Sequence, residues 1–164
     1  MVGFTGSRRP SPALAVIASG VAASCSSAGL SVAVGCAAGI DAAVRAAVPG
    51  ARVFEASGAS PWGYVARSVA LVEAVHASGR GALAVFPSRQ CPAGLVPSRQ
   101  SARCFCGSGS GTWATAAYAA GLEVPVCVFG AFELPVWGGV WERVGWACAF
   151  SGGWVWRPGQ LGLF

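Results

Sequence analysis

Apolar positions fall in short runs that alternate with longer, helically spaced stretches. Val2–Thr5 is a brief apolar run, and Gly6-Ser7-Arg8-Arg9-Pro10 follows it as a tight basic loop. Ser11-Pro12 then has the form of a helix N-cap with proline at the first helical position. Leu14, Ile17, Val21 and Cys25 continue at helical spacing, and Gly29 is a stop. The first unit therefore reads strand, loop, helix. The same order returns with a strand at Leu30–Val34 and a small-residue turn, Gly35-Cys36-Ala37-Ala38-Gly39. A helix then opens at Ile40-Asp41 and closes at Pro49-Gly50. Arg52–Phe54 is a third strand, and Ser57–Gly63 reads as a loop. Val65, Val69, Val72 and Val75 predict a helix over Tyr64–Ser78 with Gly79 as its stop. Ala82–Phe86 and Glu123–Phe129 are the fourth and fifth strands.

Residues 87–106 break this rhythm with three prolines, three arginines, three cysteines and no acid. Loops of that length are usually functional or disordered. Near the C-terminus, Trp137, Trp141 and Val144 share one helical face, which predicts a helix followed by a short terminal strand. Trp146, Trp154 and Trp156 complete a tryptophan-rich tail, which could stack nucleobases or pack as core or interface. Strands alternating with helices imply α/β architecture: a doubly wound, mainly parallel, five-stranded, Rossmann-like sheet. A chain of 164 residues suggests one domain over 1–164.

In such a sheet, ligands bind outside the C-terminal strand ends. Three small-residue loops fall there, at Gly6–Arg9, Gly35–Gly39 and Gly107–Gly111. The third, Gly107-Ser108-Gly109-Ser110-Gly111-Thr112, leads directly into a helical pattern at Trp113, Ala116, Ala117 and Ala120. Its glycines let backbone N–H groups turn toward one point. The hydroxyls are neutral donors, and the helix start adds unpaired N–H groups and the positive end of a dipole. That combination describes an anion or phosphate cradle. An ordinary loop-to-helix turn is the plainer alternative.

Charge changes this picture in two ways. Only 10% of the residues are charged and the net charge is +5, yet every one of the eleven basic residues is arginine. The absence of lysine excludes a Walker lysine and Schiff-base chemistry. Arginine is the better side chain for bidentate phosphate contact, although such a composition also follows from a GC-rich genome. The basic loop adds Arg89, Arg99 and Arg103 as candidate nucleic-acid contacts. Seven irregularly spaced cysteines, no Cys-x-x-Cys and a lone His76 argue against a metal site. Cys36 and Cys127 lie in apolar runs, as buried thiols do. No apolar stretch is long enough to span a membrane and no signal peptide is evident. A reducing cytoplasm is the simplest setting, and the apolar tail is compatible with a homodimer.

Val2-Gly3-Phe4-Thr5-Gly6-Ser7-Arg8-Arg9-Pro10, Val34-Gly35-Cys36-Ala37-Ala38-Gly39-Ile40-Asp41 and Gly109-Ser110-Gly111-Thr112 together resemble the SLOG superfamily. That group includes the Smf/DNA-processing protein A proteins and the Lonely-Guy phosphoribohydrolases. Arg67, opening Arg67-Ser68-Val69-Ala70-Leu71, resembles the arginine that leads a helix in the DNA-processing branch. The resemblance covers roughly residues 2–130. It implies a grip on nucleotide phosphate or single-stranded nucleic acid by Gly6, Ser7, Arg8, Arg9, Gly35, Gly39, Asp41, Arg67 and Gly107 to Thr112. Where the phosphoribohydrolases carry paired glutamates, this chain has Ala114 and Thr115. Neither can act as a general acid or stabilise an oxocarbenium ion. The expectation is therefore a DNA-processing accessory domain without catalytic residues. It requires no cofactor, although it could hold a bound nucleotide. Sensing of a signalling nucleotide and N-glycosidic hydrolysis of nucleoside monophosphates are the alternatives.

Overall fold

The computed structural model describes residues 1–58, 60–107, 109–145 and 149–159. In chain order the elements are β1 (Val2–Gly6), α1 (Pro12–Ser27), β2 (Val32–Gly35), α2 (Ile40–Ala47), β3 (Arg52–Phe54) and α3 (Pro61–Ala77). There follow β4 (Ala82–Phe86), the single-turn α4 (Ser101–Cys104), α5 (Gly111–Gly121), β5 (Val126–Val128), β6 (Gly139–Arg143) and β7 (Trp154–Pro158). The caps form as their sequences dictate. Ser11 Oγ accepts from Leu14 N at 3.2 Å, and Ser110 Oγ accepts from Trp113 N at 3.4 Å. Ser60 does the same for Gly63 N at 3.1 Å. Hence α3 starts at Pro61, three residues before the expected Tyr64, through the same Ser-Pro grammar as α1.

The sheet has seven strands in the order β3-β2-β1-β4-β5-β7-β6. The first five in that row are parallel neighbours, as in Val2↔Val32, Phe4↔Ala84 and Leu83↔Val126. The last two add antiparallel pairs, Val126↔Trp156 and Trp141↔Trp156. The α/β class and the mostly parallel sheet stand; the expected count of five strands does not. The helix expected over Trp137–Val144 is absent from the described residues. Instead, Trp141 lies in β6, with Gly138-Gly139 just before it. Glycines at those positions disfavour a helix start. The exposed Val140 and Glu142 then alternate with the half-buried Gly139 and Trp141 at strand period. Trp146 lies outside the described residues.

Two apolar cores flank the sheet. On one face α1 and α2 cover Val2, Phe4, Val34, Ala84 and Phe86. On the other, α3 and α5 cover Leu83, Val85, Val126 and Val128. The odd–even split within β4 is the pleat itself. The inner face of α1 is Ala18, Val21, Ala22 and Cys25, so Ile17 turns outward and is 46% exposed. Of the described C-terminal tryptophans, Trp137, Trp141 and Trp156 build core: Trp137 makes edge contacts with Trp113 at 6.0 Å and Trp156 at 6.4 Å. Its Nε1 donates to Leu95 O at 2.9 Å. Among the described residues no helix is long and apolar enough to cross a membrane.

Candidate functional site

The chain runs outward from β1 through β2 to β3, then returns to pair β4 on the other side of β1. The loops after β1 and β4 therefore diverge at the centre of the sheet. That is the switch point at which doubly wound sheets open a crevice. A cleft of about 990 Å³ opens there. The first loop supplies Gly6, Ser7, Arg8 and Arg9, the second supplies Ala37 and Ala38, and the first turn of α2 supplies Asp41. The loop after β4 supplies Pro87, Ser88 and Arg89, and the start of α5 supplies Gly109, Ser110, Gly111, Thr112 and Thr115. Pro61, Tyr64, Val65, Arg67 and Ser68 of α3 close the third side.

Hydrogen bonds stitch these loops together. Ile40 N donates to Ser7 O at 3.0 Å, so the start of α2 is closed off by the first loop. Ser7 N donates to Phe86 O at 3.0 Å and ties that loop to the end of β4. Arg45 Nη1 donates to Gly35 O at 2.6 Å and Ala37 O at 3.2 Å, bracing the second turn from below. Arg89 donates through Nη2 to Gly109 O, and Trp113 Nε1 donates to Arg89 O at 2.8 Å. The basic loop and the start of α5 are thus one braced unit. Of these helix starts, the N-terminus of α5 faces the cleft and turns its positive dipole end toward it.

Asp41 is the one carboxylate among the described lining residues. Its Oδ2 accepts from Arg67 Nη1 at 3.1 Å and from Ala37 N at 3.3 Å. Burial raises its pKa, and the opposing pull of Arg67, the Ala37 N–H and Arg45 only partly offsets that. Gly35 makes room for the pair. A Cβ there would lie 2.5 Å from Asp41 Oδ2 and 2.6 Å from Arg67 Cζ. Gly39 has φ +75°, and a Cβ on it would overlap the carbonyl groups of Ser7 and Arg8. Both glycines shape the wall from behind rather than line it. The Arg67 Nε is buried without a hydrogen-bond partner. Two guanidiniums approach the ring of Tyr64, with Arg67 Cζ 5.6 Å and Arg8 Cζ 5.7 Å from its centre.

Other expected residues fall elsewhere. Gly107 is exposed and outside the lining, and Ser108 lies outside the described residues. Arg99 is not brought to the cleft: its Nη2 donates to Glu123 Oε1 at 2.8 Å. Glu123 follows the C-terminus of α5, one helix length of about 16 Å from the cleft end of that helix. Arg103 is exposed on α4, also outside the lining. Cys36 is only half-buried, and its Sγ accepts from Ala56 N at 3.3 Å. Ala114 and Thr115 are buried, and Thr115 Oγ1 donates to Gly111 O at 2.7 Å within its own helix. No group of three or more His, Cys, Asp or Glu gathers as a metal site among the described residues.

Sequence reasoning missed Tyr64, Ser88 and Phe105. Ser88 had a signal, because Pro87-Ser88 follows the fourth strand as Gly6-Ser7 follows the first. Tyr64 had none, since its role depends on Arg8 arriving from a different loop. No family model, no curated protein and no solved structure matches this chain.

Proposed function

We propose that this cleft grips the phosphate of a nucleotide, free or within a single strand, and does little or no chemistry on it. The observation that carries the reading is the convergence of Arg8, Arg9 and Arg89 on the cleft that the start of α5 faces. Oriented N–H groups with guanidiniums are the chemistry a phosphate requires. The one lining carboxylate among the described residues is engaged by Arg67, so the cleft keeps a cationic balance. Ala114 and Thr115 stand where a phosphoribohydrolase would need carboxylates, which supports binding without hydrolysis. The resemblance to DNA-processing proteins supports an accessory role in handling single strands. No cofactor is needed for that role.

Thermal-shift screening of the whole chain against nucleoside monophosphates and inorganic phosphate tests this. A ligand at 100 times its dissociation constant stabilises by about 2.7 kcal/mol. Nucleotides should raise the melting temperature and release no free base on incubation. No shift with any nucleotide overturns the grip, and released base overturns the claim of no chemistry.

A further inference from the structure

Trp62 is the anomaly of this fold. Five other tryptophans lie among the described residues, with Trp113, Trp137 and Trp156 buried and Trp141 and Trp154 half-buried. Trp62 is 76% exposed. A chain that places the rest of its described indoles inside or half inside leaves this one in water. Its position is specific. Trp62 belongs to the first turn of α3, and Pro61, Tyr64 and Val65 of that turn line the cleft. Val65 is three residues on, so the two side chains are surface neighbours. Trp62 therefore stands on the lip of the cleft. No acidic residue occurs between Ala56 and Val72, so nothing in that stretch repels a phosphate backbone.

We infer that Trp62 is a stacking platform for a second base, and that the ligand is a single-stranded polynucleotide rather than a lone nucleotide. This rests on the phosphate-cleft reading above. One phosphate lies at the start of α5. The strand leaves over the α3 lip, and the neighbouring base lies flat on the indole. Every base has a π-face, so the contact is tolerant of sequence. The indole is neutral and adds affinity without adding to the salt dependence, which the guanidiniums carry.

The test compares wild type, Trp62→Ala and Trp62→Phe as whole chains. Fluorescein-labelled oligothymidylate and oligouridylate dodecamers are titrated by anisotropy across a salt series, and a nucleoside monophosphate by calorimetry. Trp62→Ala should weaken oligonucleotide binding by about 5- to 100-fold, the equivalent of one base–aromatic stack. The salt slope and the mononucleotide affinity should not change, and Trp62→Phe should recover most of the loss. Unchanged oligonucleotide affinity in Trp62→Ala, with mononucleotides still bound, would assign the indole to another partner such as a protein and overturn this inference alone. Equal loss for the mononucleotide would move Trp62 into the first site and also overturn it. A wild-type chain that binds neither ligand defeats this inference and the cleft reading together.

Discussion

Arg67 Nη1 lies 3.1 Å from Asp41 Oδ2, joining α3 to the first turn of α2. Both side chains are largely buried, at 11% and 5% exposure. The pair fixes one wall of the cleft. It also holds an ionised carboxylate in a place that disfavours it, because burial outweighs the attraction of the arginine.

That balance sets a pH dependence. The folded chain holds the Asp41 proton more tightly than the unfolded chain, since burial raises the folded pKa above its ordinary 3.8. Asp41 therefore adds stability below the unfolded pKa, and that contribution is lost as pH rises through the raised folded value. Asp41→Asn has no such titration. Urea unfolding at a series of acidic to neutral pH values should show wild type losing stability relative to Asp41→Asn as pH rises. Arg67→Ala, which removes the strongest opposing influence, should carry the loss to higher pH. A wild-type advantage that grows with pH would contradict the assignment.

Arg8 and Arg99 separate the cleft from the rest of the positive surface. If the cleft grips phosphate as proposed, Arg8→Ala removes one contact to it, and oligonucleotide binding should weaken by about 10- to 100-fold. The single-strand salt slope should fall by about 0.7. Its effect on stability should stay below about 1 kcal/mol, the scale of an exposed cation–π contact. Arg99→Ala breaks an exposed pair with Glu123 and should cost about 0–1 kcal/mol while leaving binding unchanged. Equal binding losses for the two variants would show that charge, not the cleft, governs affinity.

Gly39 and Gly109 both have positive φ, at +75° and +87°. Gly39→Ala adds a clash with the carbonyls of Ser7 and Arg8, whereas a Cβ at Gly109 meets open space. Gly109→Ala should cost about 1–2 kcal/mol for backbone strain alone. Gly39→Ala should cost more than about 2 kcal/mol and weaken nucleotide binding, because the first and second loops must separate. Chemical denaturation with parallel thermal shifts compares the two.

Trp113→Phe leaves the Arg89 carbonyl without its indole donor. A lost part-buried hydrogen bond costs about 0.5–1.5 kcal/mol, and the smaller ring adds a cavity beside Trp137. Nucleotide affinity should also fall, since the Arg89 loop loses its anchor. A variant that loses stability but keeps full affinity would show that Arg89 positions itself without Trp113.

Much of the molecule was legible in order along the chain. Ser11-Pro12 announced one helix start and the Gly107–Thr112 run led into another, and the Val124, Val126 and Val128 run announced a strand, because caps and side-chain period act between near neighbours. The three loops after the first, second and fourth strands could be identified for the same reason. The short terminal strand expected near the C-terminus is β7, but the helix expected before it is not formed: Trp137, Trp141 and Val144 share a helical face, yet Trp141 lies in β6 and the other two flank that strand. The decision is tertiary: the edge of β5 takes β7, pairing Val126 with Trp156, and β7 in turn pairs Trp156 with Trp141 of β6.

What the sequence determined by itself was therefore local: the order of strands, helices and small-residue turns, the all-arginine charge, and the lack of carboxylates at Ala114 and Thr115. Tertiary structure alone decided which loops meet. It joined Asp41 to Arg67 across 26 residues, drew Arg89 onto Gly109, carried Arg99 to the far end of α5, and left Trp62 uncovered on the lip. The reason is physical. Periodicity is written in neighbours along the chain, whereas a cleft is made where strand order reverses, between segments whose distance in sequence says nothing about their distance in space.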